Sequence, residues 1–83
     1  MEFKQTQHQV ARGARADAES YDKLILIKRS SSLRATYQIR LLAYRAEMEH
    51  RKLIIEVRKD CRIESDLRSL ARLMPKVIKI VRN

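Results

Sequence analysis

Three short runs of branched aliphatic residues alternate along the chain with longer, more polar segments. The runs cover residues 24–27, 53–57 and 77–81, and only Glu56 and Lys79 interrupt them with charge. Apolar runs of this length are typical of strands that are buried on both faces. The two intervening segments have helical spacing, so the pattern predicts strand, helix, strand, helix, strand. Because a crossover helix returns the chain to the same end of a sheet, we expect parallel strands.

The predicted fold is an α/β domain over residues 23–83, with a small three-stranded parallel sheet (βαβαβ) and two crossover helices. Right-handed crossovers allow two strand orders. We favour the order 2-1-3, which covers both faces of the sheet. The order 1-2-3 puts both helices on one face and leaves the other face to a partner. Residues 1–22 are predicted to be a polar tail or a short N-terminal helix with Phe3, Val10, Ala14 and Tyr21 on one stripe.

The first helix is expected over residues 33–50, with Ser31 or Ser32 as its N-cap. It carries two apolar stripes on nearly opposite sides. The stripe assigned to the sheet consists of Ala35, Ile39, Leu42 and Ala46. The other stripe is predicted to contact the N-terminal segment or another subunit, and consists of Leu33, Tyr37, Leu41, Tyr44 and Met48. The alternative for this second stripe is the rim of an ordinary core, with tyrosine hydroxyls reaching solvent.

The second helix is predicted to begin with Ser65 or Asp66 as its cap and to end at Pro75. One stripe of four residues has the spacing of a single buried face, namely Leu67, Leu70, Ala71 and Met74. Glu56 and Lys79 are expected to point outward at a sheet edge, where charge deters unwanted pairing.

Charge is distributed unevenly along the chain, which has a net charge of +9. Residues 1–22 hold three cations and four anions, a net of −1, whereas residues 23–83 hold sixteen cations and six anions, a net of +10. The predicted folded part is therefore the basic part. Such a field attracts nucleic acid, anionic lipid or an acidic protein surface.

Ligands of open parallel sheets bind beyond the carboxyl ends of the strands. In this chain those positions are rich in cations and serines, and backbone amides near Ser31 would add to an anion site. The residues predicted to contact phosphate are Lys28, Arg29, Ser31, Ser32, Arg58, Lys59, Arg62 and Arg82. The alternative is that the serines only cap the helix and that the charge only serves solubility.

Several kinds of chemistry are disfavoured by the sequence. The single cysteine, Cys61, cannot form an internal disulfide, and with two distant histidines it cannot supply a usual zinc site. No Gly-rich phosphate loop and no GxSxG motif occur, so we expect neither a cofactor nor a catalytic site. No apolar run approaches the roughly 20 residues that span a bilayer, and no secretory signal is present, so a cytoplasmic location is expected.

The first functional hypothesis is a non-enzymatic basic module that binds a phosphate-rich polymer, most naturally nucleic acid, and that associates as a homo-oligomer or with a protein partner. An alternative is an adaptor whose basic face meets an acidic protein. A third hypothesis is a small phosphate-handling enzyme that uses Cys61 or the serines at residues 30–32. Aromatic residues are few (Phe3, Tyr21, Tyr37 and Tyr44), which disfavours base stacking across the strands.

Overall fold

The computed structural model describes residues 15–83 of the chain. In this part the strands are β1 (Ala18–Glu19), β2 (Lys23–Ile27), β3 (Ser32–Leu33), β4 (Lys52–Val57), β5 (Arg62–Ile63) and β6 (Ile78–Arg82). The helices are α1 (Tyr37–Met48) and α2 (Ser65–Leu73).

The main sheet is mixed and has four strands, in the order β1-β2-β4-β6. Strands β2, β4 and β6 are parallel, as predicted, but β1 pairs antiparallel with β2. The prediction of three strands was therefore wrong, because residues 18–19 had been assigned to the N-terminal tail. A tight turn brings them back to the sheet, where the N–H of Asp17 donates to the C=O of Ile25 at 2.8 Å.

The three parallel strands are adjacent in chain order, so the favoured order 2-1-3 was wrong and 1-2-3 is observed. Both helices cover one face of the sheet, because the other face is too polar to lie beneath a helix. In β4 the residues alternate strictly, with Leu53, Ile55 and Val57 buried and the residues between them less so. The open face carries charged side chains, which could not lie beneath a helix without losing their hydration. These charged residues are Lys23, Lys52, Glu56 and Lys79. Glu56 thus points outward from a central strand, not from a sheet edge as predicted.

The hydrophobic core lies between the covered face of the sheet and the two helices. Its fully buried side chains are Leu24, Leu26, Ile39, Leu42, Leu53, Ile55, Leu67 and Val57. Of the stripe assigned to the sheet, Ile39, Leu42 and Ala46 are buried on α1, whereas Ala35 is buried in the segment that precedes the helix. The open face has a half-buried centre at Ile25 and Ile54.

Helix α1 begins at Tyr37, four residues later than predicted. Its N-cap is Thr36, whose Oγ1 accepts a hydrogen bond from the N–H of Ile39 at 3.3 Å. Ser32 and Leu33 instead form β3, which pairs in parallel with β5. A ladder between distant segments has replaced the local cap that the serines favour, and the N–H of Arg62 donates to the C=O of Ser31 at 2.8 Å.

Helix α2 matches the prediction in its buried stripe, since Leu67 is fully buried and Leu70, Ala71 and Met74 pack against the core. Its N-cap is Glu64, not Ser65 or Asp66. The carboxylate of Asp66 has another role, because its Oδ1 accepts a hydrogen bond from the N–H of Ala35 at 3.2 Å. This bond ties the start of α2 to the segment that leads into α1.

The chain repeats one arrangement twice: β2, β3 and α1 are followed by β4, β5 and α2. In each unit the short strand lies in the connection between the long strand and its helix. Since the long strands are parallel, both connections emerge at the same end of the sheet, where β3 and β5 pair. The loops that follow the parallel strands are thereby held together.

Candidate functional site

The carboxyl end of the parallel sheet forms a surface that we call the rim, comprising residues 28–36, 58–66 and 82–83. All eight residues predicted to contact phosphate lie in it, because each follows or ends one of the three parallel strands. The rim holds seven cations and three anions, a net of +4. About half of the excess positive charge of residues 15–83, which hold seventeen cations and nine anions, is therefore at one end of the molecule.

Two open grooves lie side by side on the rim. The first has a volume of about 880 Å³ and is lined by Ile27, Lys28, Arg29, Ser30, Ser32, Leu33, Arg34, Thr36, Glu64, Ser65 and Asp66. The second has a volume of about 540 Å³ and is lined by Ile27, Lys28, Arg29, Glu56, Val57, Arg58, Lys59, Asp60 and Asn83. Lys28 and Arg29 border both grooves, so cations line a path from one groove to the other.

Three cations of the rim take part in fixing its shape. The Nη1 of Arg82 donates to the C=O of Cys61 at 2.6 Å and to that of Lys59 at 3.2 Å, which braces the loop after β4. Arg58 forms an ion pair with Asp60 at 3.1 Å. The Nζ of Lys28 donates to the Oε1 of Gln38 at 3.0 Å. Their hydrogen bonds make these side chains structural parts of the rim.

Four other rim cations are exposed, namely Arg29, Arg34, Lys59 and Arg62. Of the ion pairs formed among residues 15–83, none includes any of these four side chains. Exposed cationic groups that form no ion pair are available to an external anion. Of the cations on the rim, these four are the best suited to contact a ligand.

The serines of the first loop do not form the predicted anion site at a helix start. The Oγ of Ser30 donates to the C=O of Ser32 at 2.7 Å, and Ser31 accepts from Arg62 through its own carbonyl. Because α1 begins only after Thr36, the amides near Ser31 are in the β3–β5 region and not at a helix terminus. Their expected position at a helix start was therefore wrong, and their contact with phosphate stays a prediction.

The predicted interface stripe on α1 is only partly exposed. Leu33 is buried in β3, outside the helix, and Leu41 packs against the core. Tyr37, Tyr44 and Met48 are 72%, 58% and 51% exposed and share the outer side of α1. A subunit contact through these three residues stays a prediction. Of the predicted N-terminal stripe, Phe3, Val10 and Ala14 lie outside the described residues, and Tyr21 is exposed in the turn before β2.

Cys61 is only 2% exposed, and its Sγ lies 3.8 Å from the C=O of Arg62. A thiol buried in this way is poorly placed to attack a substrate. Residues 15–83 contain no group of three or more His, Cys, Asp or Glu side chains arranged to hold a metal ion.

The sequence predicts Arg34 as a basic residue of the first helix, and it is not among the eight residues predicted to contact phosphate at the strand ends. The structure puts Arg34 in the loop before α1, on the wall of the first groove. The available signal was Thr36, which is also a favourable N-cap residue and lies immediately before the observed helix.

A second cluster of arginines lies at the opposite end of the sheet, which we call the base (residues 18–23, 45–52 and 74–77). There Arg45 makes a bidentate contact with Glu19, at 3.0 Å and 2.9 Å, and a further bond with Glu49 at 3.1 Å. Arg51 contacts the same two carboxylates, at 3.1 Å and 3.2 Å. The hydrogen bonds from Arg45 lower the pKa of Glu19, and the bond to Glu19 raises the pKa of Arg45.

Comparisons with protein-family models, curated proteins and solved structures each gave no match to the chain. Neither helix within residues 15–83 has both the length and the apolar character needed to cross a membrane.

Proposed function

We propose that this chain is a non-enzymatic binding module that contacts nucleic acid through the rim. The observation that carries the proposal is the group of four exposed cations (Arg29, Arg34, Lys59 and Arg62) with no acidic partner among residues 15–83. A polymer of phosphates supplies the missing anions. Neutralising phosphate charge also releases counterions, which is the main source of affinity in binding of this kind.

The arrangement of the rim supports contact with a chain of anions in preference to a single small one. The two grooves adjoin at Lys28 and Arg29, so an extended polyanion can follow both. The rim cations come from loops of different strands that β3–β5 pairing and the Arg82 brace hold at one end of the sheet. Binding therefore needs little reorganisation of the protein.

The contacts available are to the phosphate backbone and not to bases. The groove walls are made of Lys, Arg, Ser and aliphatic side chains together with Glu56, Asp60, Glu64 and Asp66, and no aromatic side chain of residues 15–83 lines either groove. Stacking platforms that typify single-strand readers are thus missing from the rim. Backbone contacts position a protein but carry no sequence information, so we expect weak sequence preference.

The test is a titration of labelled random-sequence duplex DNA, followed by fluorescence anisotropy at about 50 mM and about 200 mM salt. Four phosphate contacts predict a slope of log K against log salt near −3.6 on duplex DNA. A triple variant, Arg29→Gln with Lys59→Gln and Arg62→Gln, should bring the slope to about −0.9.

The matched control loses the same charge elsewhere, through Lys23→Gln, Arg72→Gln and Lys76→Gln. It should bind almost as the unaltered protein does. Equal losses for the two triple variants would show that net charge and not the rim drives binding. Absence of binding at the lower salt concentration would end the proposal, and binding of an acidic protein but not DNA would favour an adaptor role.

A further inference from the structure

Among the strands of residues 15–83, β6 pairs only with β4 and forms an edge of the main sheet. The N–H of Leu53 donates to the C=O of Val77 at 2.7 Å, and the N–H of Asn83 donates to the C=O of Val57 at 3.0 Å. In a parallel ladder with this register, the odd-numbered residues of β6 form the backbone hydrogen bonds to β4. The peptide groups of Ile80 and Arg82 therefore face away from the sheet, and among residues 15–83 no other strand pairs with them.

The two edges of the sheet differ in length and in charge. The opposite edge is β1, which has two residues, and its Glu19 is held by Arg45 and Arg51. The β6 edge has five residues, IKIVR, which are mostly β-branched. A long edge strand with unpaired N–H and C=O groups is a template for an added strand.

The segment that contains β6 carries cations only, although Glu56 of the neighbouring strand β4 lies opposite Val81 and accepts a hydrogen bond from Asn83 at 3.3 Å. Residues 67–83 contain five cations and no anion, and the cations are Arg68, Arg72, Lys76, Lys79 and Arg82. Leu73, at the end of the helix that leads into β6, is 80% exposed, and Ile80 is half-buried. An added strand would meet Lys79 and Arg82 together with the partly exposed side chain of Ile80.

We propose that the free edge of β6 binds an extended acidic peptide segment of a partner protein, which pairs with Ile80 and Arg82 as an additional strand. A second copy of β6 would bring Lys79 and Arg82 against an edge that is already cationic, so charge opposes self-pairing. Nucleic acid matches the charge but does not offer the alternating donors and acceptors that a strand edge presents. The β6 edge meets the rim only at Arg82, which is not one of the four proposed phosphate contacts, so this inference does not depend on nucleic-acid binding.

The probe is a labelled peptide of about eight residues that alternates Glu with Val, which is long enough to cover a typical strand. We expect it to bind the full chain, and we expect a peptide with Lys in place of each Glu not to bind. N-methylation of the peptide on alternate residues removes backbone N–H donors and leaves the charge unchanged. It should weaken binding about tenfold for each hydrogen bond to β6 that is lost.

On the protein, Ile80→Pro removes the outward N–H without touching the ladder to β4, since proline is tolerated on the free side of an edge strand. Its matched control, Ile80→Ala, keeps the N–H and loses similar side-chain volume. We expect Ile80→Pro to bind the acidic peptide about tenfold more weakly than Ile80→Ala. Circular dichroism of both variants shows whether the fold is retained, and the methylated peptide tests the same bond on the unaltered protein.

Three results would overturn the proposal. Equal binding of the methylated and unmethylated acidic peptides would show attraction by charge without strand pairing. Loss of duplex DNA binding in Ile80→Pro, at unchanged peptide binding, would make the edge a nucleic-acid surface. A doubled solution mass of the unaltered chain by light scattering, lost in Ile80→Pro, would identify a second copy as the occupant.

Discussion

The rim and the base of the sheet are both rich in arginine, yet their arginines are in opposite situations. At the base, five cations are accompanied by four anions, and Arg45 and Arg51 share the carboxylates of Glu19 and Glu49. At the rim, seven cations are accompanied by three anions, and among the described residues only Arg58 of these seven forms an ion pair. The lesson is that net charge alone does not locate a binding surface; the positions of the acids decide which cations remain available.

The largest expected effect comes from reversing charge at the rim. The double variant Arg29→Glu with Arg62→Glu should weaken binding of duplex DNA by about a hundredfold at low salt, because each change removes one phosphate contact and adds a repulsive one. The measurement is the same anisotropy titration. Lys23→Glu with Lys76→Glu makes an equal change of charge at the base and should cost much less. Similar losses for both pairs would abolish the distinction between rim and base.

A substitution of Arg82 tests whether a rim cation can stabilise the fold without contacting DNA. Arg82→Gln removes the charged donor to the carbonyls of Cys61 and Lys59, and we expect the free energy of unfolding to fall by about 1–2 kcal/mol. Urea denaturation measures that loss. Since this guanidinium is engaged within the protein, the salt slope of DNA binding should stay unchanged. A slope reduced by about 0.9 would instead make Arg82 a phosphate contact.

The difference between the two ends also explains how far the sequence could be interpreted. The local spacing of apolar residues predicts three features correctly: the parallel strands, the cationic loops at their carboxyl ends and the buried stripes of both helices. The start of α1 does not, because Ser32 and Leu33 are drawn into a ladder with Arg62 and Ile63, thirty positions away. Nothing local distinguishes a serine that caps a helix from one that continues into a short strand.

Strand order and the pairing of charges could not be predicted from the sequence, because they also depend on contacts between distant segments. Whether Glu56 lies at an edge or on an open central face depends on which strands are neighbours. Glu19 was assigned to a tail, yet β1 brings it within 2.9 Å of Arg45. The sequence could therefore supply the number of cations at each end but not the number left unpaired.

Glu19 provides a test of the base as a structural ion-pair cluster. Glu19→Gln should lower the free energy of unfolding at neutral pH by about 0.5–1 kcal/mol; the value is small because the side chains are partly exposed to solvent. The arginine contacts lower the pKa of Glu19 in the folded state, so its contribution is fully present above the ordinary pKa of 4.5. As pH falls through the lowered folded pKa, the carboxylate is protonated and the contribution is lost.

The measurement for Glu19 is urea denaturation of the unaltered and variant proteins at pH 7 and at a series of lower pH values. The difference in free energy of unfolding between the two proteins should vanish on acidification, whereas a difference independent of pH would rule out the ion pairs as its cause.

The Glu19→Gln variant also releases Arg45 and Arg51 from one carboxylate. DNA binding by Glu19→Gln should rise slightly, because the base then resembles the rim.

The smallest expected effect concerns the turn that places Arg51 at the base. His50 has a positive φ of 57° and follows the end of α1, and the N–H of Arg51 donates to the C=O of Ala46 at 2.8 Å. This is the left-handed helix ending that glycine adopts with least strain. His50→Gly should therefore raise the free energy of unfolding by about 0.5 kcal/mol, whereas His50→Ala keeps the Cβ and should give no such gain. Thermal unfolding of both variants measures this difference in stability. The affinity for DNA should be equal in the two variants, because the base is structural and the rim is not altered. A change in affinity with His50→Gly would show that the base also contacts the nucleic acid.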